Sequence, residues 1–427
     1  MNFKAIIERG NIRKAFVFLP NFAAAKASIY FIPIAIAAFA SAQIYGAIEL
    51  SQSVGLLIAA IIVGAPLAGI TQLHLVRNRH DVVDQIWTVN AAGCALSLIA
   101  TVLAWTLGAR LDMILVCAAF GAAATHNCAS SSGRMFGKRN LTAWADGTAM
   151  IVAAVAVAIT ILITGEQSLS ALILVYVGLT VISLLASLTA IFVKLQPGLA
   201  SRLTEAFRIG MPMVLFGIVS MWLGVGGRIT VGFLVPGDLA AYGVAFRIAG
   251  LTLGIHQLLQ TALFAKVYKA RTRQADRLTA PFLAGVCVLA LAVSLAGGFV
   301  VGQFRLASLT GDGMATFRSI LPIVSIQVFF WIATAMLQVR INRSRLSQRA
   351  ILPILIVTLT GAAAMVLAVK LGLVGIVGLS WLIALHAATY FATSWTLLVR
   401  KGLVHRWIGT VGAAGGGLLA LAAVLHT

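Results

Sequence analysis

Thirteen apolar runs, each of about 20 residues, follow one another along almost the whole chain. No other feature limits the fold so strongly. Lipid offers no partner to a free backbone N–H or C=O, so runs of this kind cross it as α-helices. They lie at roughly 15–39, 47–75, 86–108, 111–132, 146–164, 170–193, 209–234, 239–265, 279–302, 319–339, 350–369, 373–398 and 407–425. The segments between them are too short for a folded extramembrane domain. Composition agrees: 61% of the residues are apolar and 10% charged, against about 25% charged in soluble proteins. The expected fold class is an all-α polytopic membrane protein.

A net charge of +20 could suggest nucleic acid, but the positions of the charges argue otherwise. With the N-terminus placed in the cytoplasm and the runs alternating, 24 of the 31 Lys and Arg fall on the cytoplasmic side and four on the other. That is the asymmetry that orients helices in membranes. The richest cytoplasmic loop carries Lys266, Lys269, Arg271, Arg273 and Arg277. These charges set orientation and touch lipid headgroups, and no nucleic-acid partner is expected. Trp87, Trp105, Trp144 and Trp407 fall near run ends, where interfacial indoles belong. Cys94, Cys117, Cys128 and Cys287 all lie in apolar runs without metal-ligand spacing, and read as small core residues. The first run is too long for the 7–15-residue core of a signal peptide and contains Pro20 and Pro33. It reads as a retained, kinked helix.

A short pattern occurs twice. "AQIYGAIELS" (42–51) and "LAAYGVAFRI" (239–248) each place Tyr-Gly ahead of an apolar helix with one charge, 197 residues apart. The first copy links runs 1 and 2 and the second links runs 7 and 8, both on the non-cytoplasmic side. Six runs separate them, so two halves of like topology are expected: 1–197 and 198–400, each a six-helix bundle, with 401–427 as an additional transmembrane helix. Paired bundles commonly hold substrate between the repeats near the midplane.

The segment "GGRITVGFLVPGDLAAYGVAFRIAGLTLGIHQLLQTALFAKVYKA" (226–270) resembles the helix 7–helix 8 signature of bacterial polysaccharide flippases. These are the O-antigen and exopolysaccharide transporters of the multidrug/oligosaccharidyl-lipid/polysaccharide (MOP) exporter superfamily. Arg228, Tyr242, Gly243, Ala245 and Arg247 stand at the matching places, and 30–79 resembles the family's first hairpin, with Pro33 and Tyr45-Gly46. Gly227 stands where the family usually carries an acidic residue, so Arg228 has no carboxylate beside it in sequence. The resemblance implies two pseudo-symmetric, MATE/MOP-like bundles working by alternating access in the bacterial inner membrane. It implies an anionic cargo, an oligosaccharide on polyprenyl pyrophosphate, with a polysaccharide polymerase and the export machinery as further partners.

Three cations lie within the runs: Lys26, Arg228 and Arg247. Each costs roughly 2.5–3.5 kcal/mol at the bilayer centre, so such residues normally face a bundle interior or a wet cavity. An excess of positive charge there suits an anionic ligand. Arginine grips phosphate oxygens as a fork and lysine acts as a point charge. These three are the candidate substrate-binding residues. Snorkelling to headgroups is the competing reading for each. Glu49 is the candidate counter-ion or coupling residue, or a plain interfacial glutamate. His256 and Gln327 are more simply interhelical hydrogen-bonding groups.

No phosphate loop of the GxxxxGK[ST] kind occurs, and no cofactor, metal or catalytic residue is expected. A drug or metabolite exporter of the same superfamily would ordinarily need cavity carboxylates, of which only Glu49 is available. A membrane polymerase or ligase would need catalytic groups on a large outer loop. The largest such segment, about 303–318, offers Arg305, Asp312 and Arg318.

Overall fold

The computed structural model describes residues 9–136, 144, 151–160, 168–193, 199–254, 256, 272–344 and 346–426. Every described regular element is helical. Six helices hold the first part of the chain: α1 (Arg9–Phe39), α2 (Ala42–Ile62), α3 (Gly64–Arg77), α4 (Gln85–Thr106), α5 (Leu111–Met135) and α6 (Ile151–Thr160). Eight follow: α7 (Leu169–Val193), α8 (Leu199–Leu234), α9 (Leu239–Ala249), α10 (Thr272–Gly302), α11 (Gly313–Arg343), α12 (Ser347–Lys370), α13 (Ile376–Arg400) and α14 (Arg406–His426). Among the described residues, 10 helices are long and apolar enough to cross a membrane, or up to 11 with the bent α8 counted as one span. Among the described residues, each of the thirteen apolar runs contains helix. The protein is a multi-pass, all-α membrane protein.

Three boundaries differ from the sequence reading. The run 47–75 is divided into α2 and α3 at Val63. Pro66 has no N–H to give the carbonyl of Ile62, so the hydrogen-bond ladder is interrupted there. The basic stretch where the two expected bundles join, outside the apolar runs, is helical from Leu199 onward, so Arg202 and Arg208 lie on α8. Its Leu, Ala, Arg and Glu residues all favour helix. Finally, α8 is bent by 52° between Val219 and Met221. Residues 257–271, which hold much of the richest basic loop, lie outside the described residues.

The helices gather into two compact units. One comprises residues 1–33 and 58–211, the other 34–57 and 212–427. Thus the end of α1 and most of α2 cluster with the C-terminal half of the chain, and α14 belongs to that unit as well.

In the first unit α4, α5 and α7 pack against one another. A polar seam joins them. Asn90 donates to Ser183 (2.9 Å) and Ser187 (2.8 Å), and Thr125 meets Ser183 at 2.8 Å. Such bonds hold helices together where lipid cannot supply a hydrophobic drive. Elsewhere α3 crosses the start of α8 through small residues. A Cβ on Gly69 would run into the backbone of Ala206, and one on Gly210 into the backbone of Ala65. Backbone on both sides leaves no side chain to yield. Gly210→Ala is therefore expected to lower stability by about 1–3 kcal/mol, read as a reduced midpoint of thermal aggregation in detergent. An unchanged midpoint would show that the crossing is looser than described.

In the second unit α11 is the central post. It packs against α9, α10, α13 and α14, and 89% of its best spanning window is buried. A helix apolar all round is expected in such a place. The Gly-rich face of α14 fits aromatic rings: Gly409, Gly412, Gly415 and Gly416 lie under Trp395, Phe391, Phe329 and Phe330. Trp87, Trp105, Trp144 and Trp407 are between 37% and 58% exposed.

Candidate functional site

The two Tyr-Gly copies open α2 and α9, and they meet within the second unit. A Cβ on Gly243 would lie 2.9 Å from Glu49 Cγ and 3.2 Å from Tyr45 Cε1. Glycine at 243 thus lets the backbone of α9 approach the first copy closely. This contact carries Glu49 to the arginines of the second half.

Glu49 is 1% exposed and accepts four hydrogen bonds. Arg228 Nη1 donates to Oε2 at 2.8 Å. Arg247 donates twice, from Nε to Oε1 (2.8 Å) and from Nη2 to Oε2 (2.9 Å). The Tyr45 hydroxyl, one turn earlier on α2, donates to Oε1 at 2.9 Å. The Arg247 pair has the bidentate fork geometry that matches carboxylates and phosphates. Arg228 also leans on an aromatic face: its Cζ lies 4.5 Å from the centre of the Phe246 ring, which stacks on Trp331 at 6.1 Å. This is a cation–π arrangement on a desolvated side chain. Arg228 Nη2 reaches the Gly224 carbonyl at 3.4 Å, and its Nε is buried without an acceptor. The cluster therefore holds two guanidinium groups on one carboxylate.

The absent acid at 227 now has a steric explanation. A Cβ on Gly227 would collide with the Tyr242 hydroxyl, which donates to Gln327 Oε1 at 2.5 Å. Gln327 Nε2 in turn donates to the Leu223 carbonyl at 3.1 Å, so it joins α8, α9 and α11. No acidic side chain fits at 227 beside this arrangement. The carboxylate comes instead from Glu49, 179 residues earlier in the chain.

The structure thus brings together Arg228, Arg247 and Glu49. Lys26 lies on α1, but its side chain falls outside the described residues. His256 is buried with its ring 5.6 Å from Phe282, as a packing residue.

One charged group was misplaced by the sequence reading. Arg340 follows the run 319–339 and counts among the 24 cations placed on the cytoplasmic side, yet it lies within α11 and is 5% exposed. It is bound to Asp276, which is fully buried, and also donates to the Leu403 carbonyl (3.2 Å) and Thr279 Oγ1 (3.1 Å). The other oxygen of Asp276 accepts from the backbone N–H of His405 at 3.0 Å. The pairing removes the cost that would have kept a lone arginine at the surface. A signal was present: the chain has only 11 acidic residues, and one of them sits just ahead of an apolar run among basic neighbours.

No protein family model matches the chain, and no curated protein matches it. Solved structures do. The lipid II flippase MurJ in an inward closed conformation aligns over 96% of this chain and 96% of its own, with a TM-score of 0.65 and 11% identity. An inward-facing MATE family multidrug resistance transporter of the MOP superfamily covers 90% and 95%, at 0.52 and 15%. A eukaryotic MATE transporter covers 96% and 99%, at 0.50 and 13%. Within that likeness lie the helices that carry the buried cluster, and the fold of this protein is the one shared by MurJ and the MATE transporters of the MOP superfamily.

Proposed function

We propose that the protein is a flippase that carries polyprenyl-pyrophosphate-linked oligosaccharide units across the bacterial inner membrane by alternating access, for surface polysaccharide export. Its N-terminus lies in the cytoplasm. A polysaccharide polymerase and the export machinery take the product onward. The observation that carries this reading is the buried cluster with one more guanidinium than carboxylate. Glu49 occupies the forks of Arg228 and Arg247 as an anionic stand-in, and phosphate oxygens of the cargo take its place during passage. Lys26 of α1 is the third candidate cation read from the sequence. The likeness to a protein named for flipping lipid II supports a lipid-borne cargo. Metabolite or drug export is the second reading, favoured by the likeness to the MATE transporter with TM-score 0.52.

Two experiments test this. Deleting the gene is expected to cause lipid-linked sugar units to accumulate on the cytoplasmic face. Units left unpolymerised outside would indicate a polymerase, and no change in such units would favour the exporter. Arg228→Lys and Arg247→Lys keep the charge on Glu49 but lose the planar fork. Each is expected to reduce translocation at least about tenfold, which corresponds to about 1.4 kcal/mol, at unchanged membrane abundance. Full translocation by both variants would remove the assignment of these residues.

A further inference from the structure

His386 occupies the middle of α13 and is only 7% exposed, yet its Nε2 has no hydrogen-bond partner. It lines a small cleft inside the second unit, a space of about 220 Å³ that includes open solvent. The other polar walls are Thr230 of α8 and Gln327 of α11, with Trp222, Met365 and Ala387 among the rest. Glycines shape it. A Cβ on Gly226 would overlap the Trp222 ring, and one on Gly361 would overlap the imidazole itself. The cleft has room for roughly one water molecule, and a water needs two to four polar partners. His386 Nε2, Thr230 and Gln327 are such partners. Leaving a buried polar atom without a partner is costly, a cost that an apolar residue at 386 would avoid.

We infer that His386 is a proton-binding site, reached by water through this cleft. No charged side chain lines the cleft. On α8, Arg228 is held by Glu49, and on α11, Arg340 is held by Asp276. The remaining charged residues on the helices packed against α13 are Arg318 and Arg343 of α11, Arg349 and Lys370 of α12, and Arg406 of α14, with Arg400 on α13 itself; none of them lines the cleft. The other titratable group on α13 is Tyr390, and His426 ends α14. Among the described residues that line the cleft, none is a carboxylate that could balance the charge of the imidazole. A buried cation without a counter-ion must be solvated, so protonation of His386 and hydration of the cleft occur together. Gln327 stands between the cleft and Tyr242, five residues before Arg247 on the same helix. Widening the cleft thus acts on α8 and α9, which hold the two arginines. That consequence for transport rests on the function proposed above; the proton site itself does not.

Trp222 is the reporter, because a protonated imidazole quenches a neighbouring indole. Purified full-length protein in lipid nanodiscs is titrated from about pH 8 to about pH 4, through the range where histidine changes charge, and its emission recorded. The expected result is a single-proton fall in emission, absent in His386→Gln. It is also absent in Trp222→Phe, although seven of the eight tryptophans remain. A flat wild-type curve, or an undiminished step in either variant, would overturn the inference. If His386→Gln cannot be recovered folded, Trp222→Phe decides alone. No cargo is needed, so failure here is separable from failure of the flippase reading.

Discussion

Replacing Glu49 with Gln is expected to destabilise the second unit by about 3–5 kcal/mol, the usual cost of removing one member of a buried ion pair. The carboxylate is saturated by four donors, three of them from guanidinium groups. An amide keeps one acceptor oxygen and turns its NH₂ toward those donors, leaving two buried arginines without compensation. Glu49→Asp keeps the charge but is one methylene shorter, so it should hold one arginine and fall between wild type and Gln. The decisive comparison is the triple variant Glu49→Ala, Arg228→Ala, Arg247→Ala. Removing all three charges should be less harmful to stability than Glu49→Ala alone, because no unpaired charge then remains in the interior. Denaturant or thermal unfolding in detergent reads the order. Equal stability of wild type and Glu49→Gln would mean that the cluster does not hold α2 to α8 and α9. Transport should fail in the triple variant, although it is more stable than Glu49→Ala, if the arginines meet the cargo.

The second large effect is expected at Asp276. Its two oxygens bind Arg340 of α11 and the backbone of His405, while Arg340 also reaches Leu403 and Thr279. The carboxylate thus ties the first turns of α10 and the last turns of α11 to the segment that enters α14. Asp276→Ala leaves Arg340 buried with only neutral acceptors, again at a cost of about 3–5 kcal/mol. The loss should be local first. Amide hydrogen exchange at residues 401–408 is expected to accelerate more than exchange in α4, α5 and α7, which share no contact with this tie. Uniform acceleration, or none, would argue against it. Asp276→Ala with Arg340→Met should recover part of the stability, since an apolar side chain of similar length needs no partner.

The helical spans were legible because lipid leaves the chain little choice. A run of about 20 apolar residues must satisfy its own backbone, and only a helix does so within one segment. For the same reason the interfacial tryptophans and the candidate membrane-depth arginines could be named from the sequence. The break at Val63 was also within reach, through Pro66. The helical start of α8 lies outside the apolar runs because of its charges, although the same residues favour helix.

Partnership was another matter. Glu49 and Arg247 were singled out from two similar turns, but their spacing of 198 residues contains nothing about which groups touch. Gly227 suggested an arginine with no acid, whereas the fold brings one from α2. Asp276 and Arg340 lie 64 residues apart, and Trp222 and His386 belong to separate apolar runs, with nothing in the sequence to pair them. The sequence by itself determined that this protein crosses the membrane many times and carries a few charges at costly depths. Tertiary structure alone decided how those charges are compensated, because insertion depends on the apolar content of each segment taken singly, while the energy of a buried charge depends on neighbours within a few ångströms that come from distant parts of the chain.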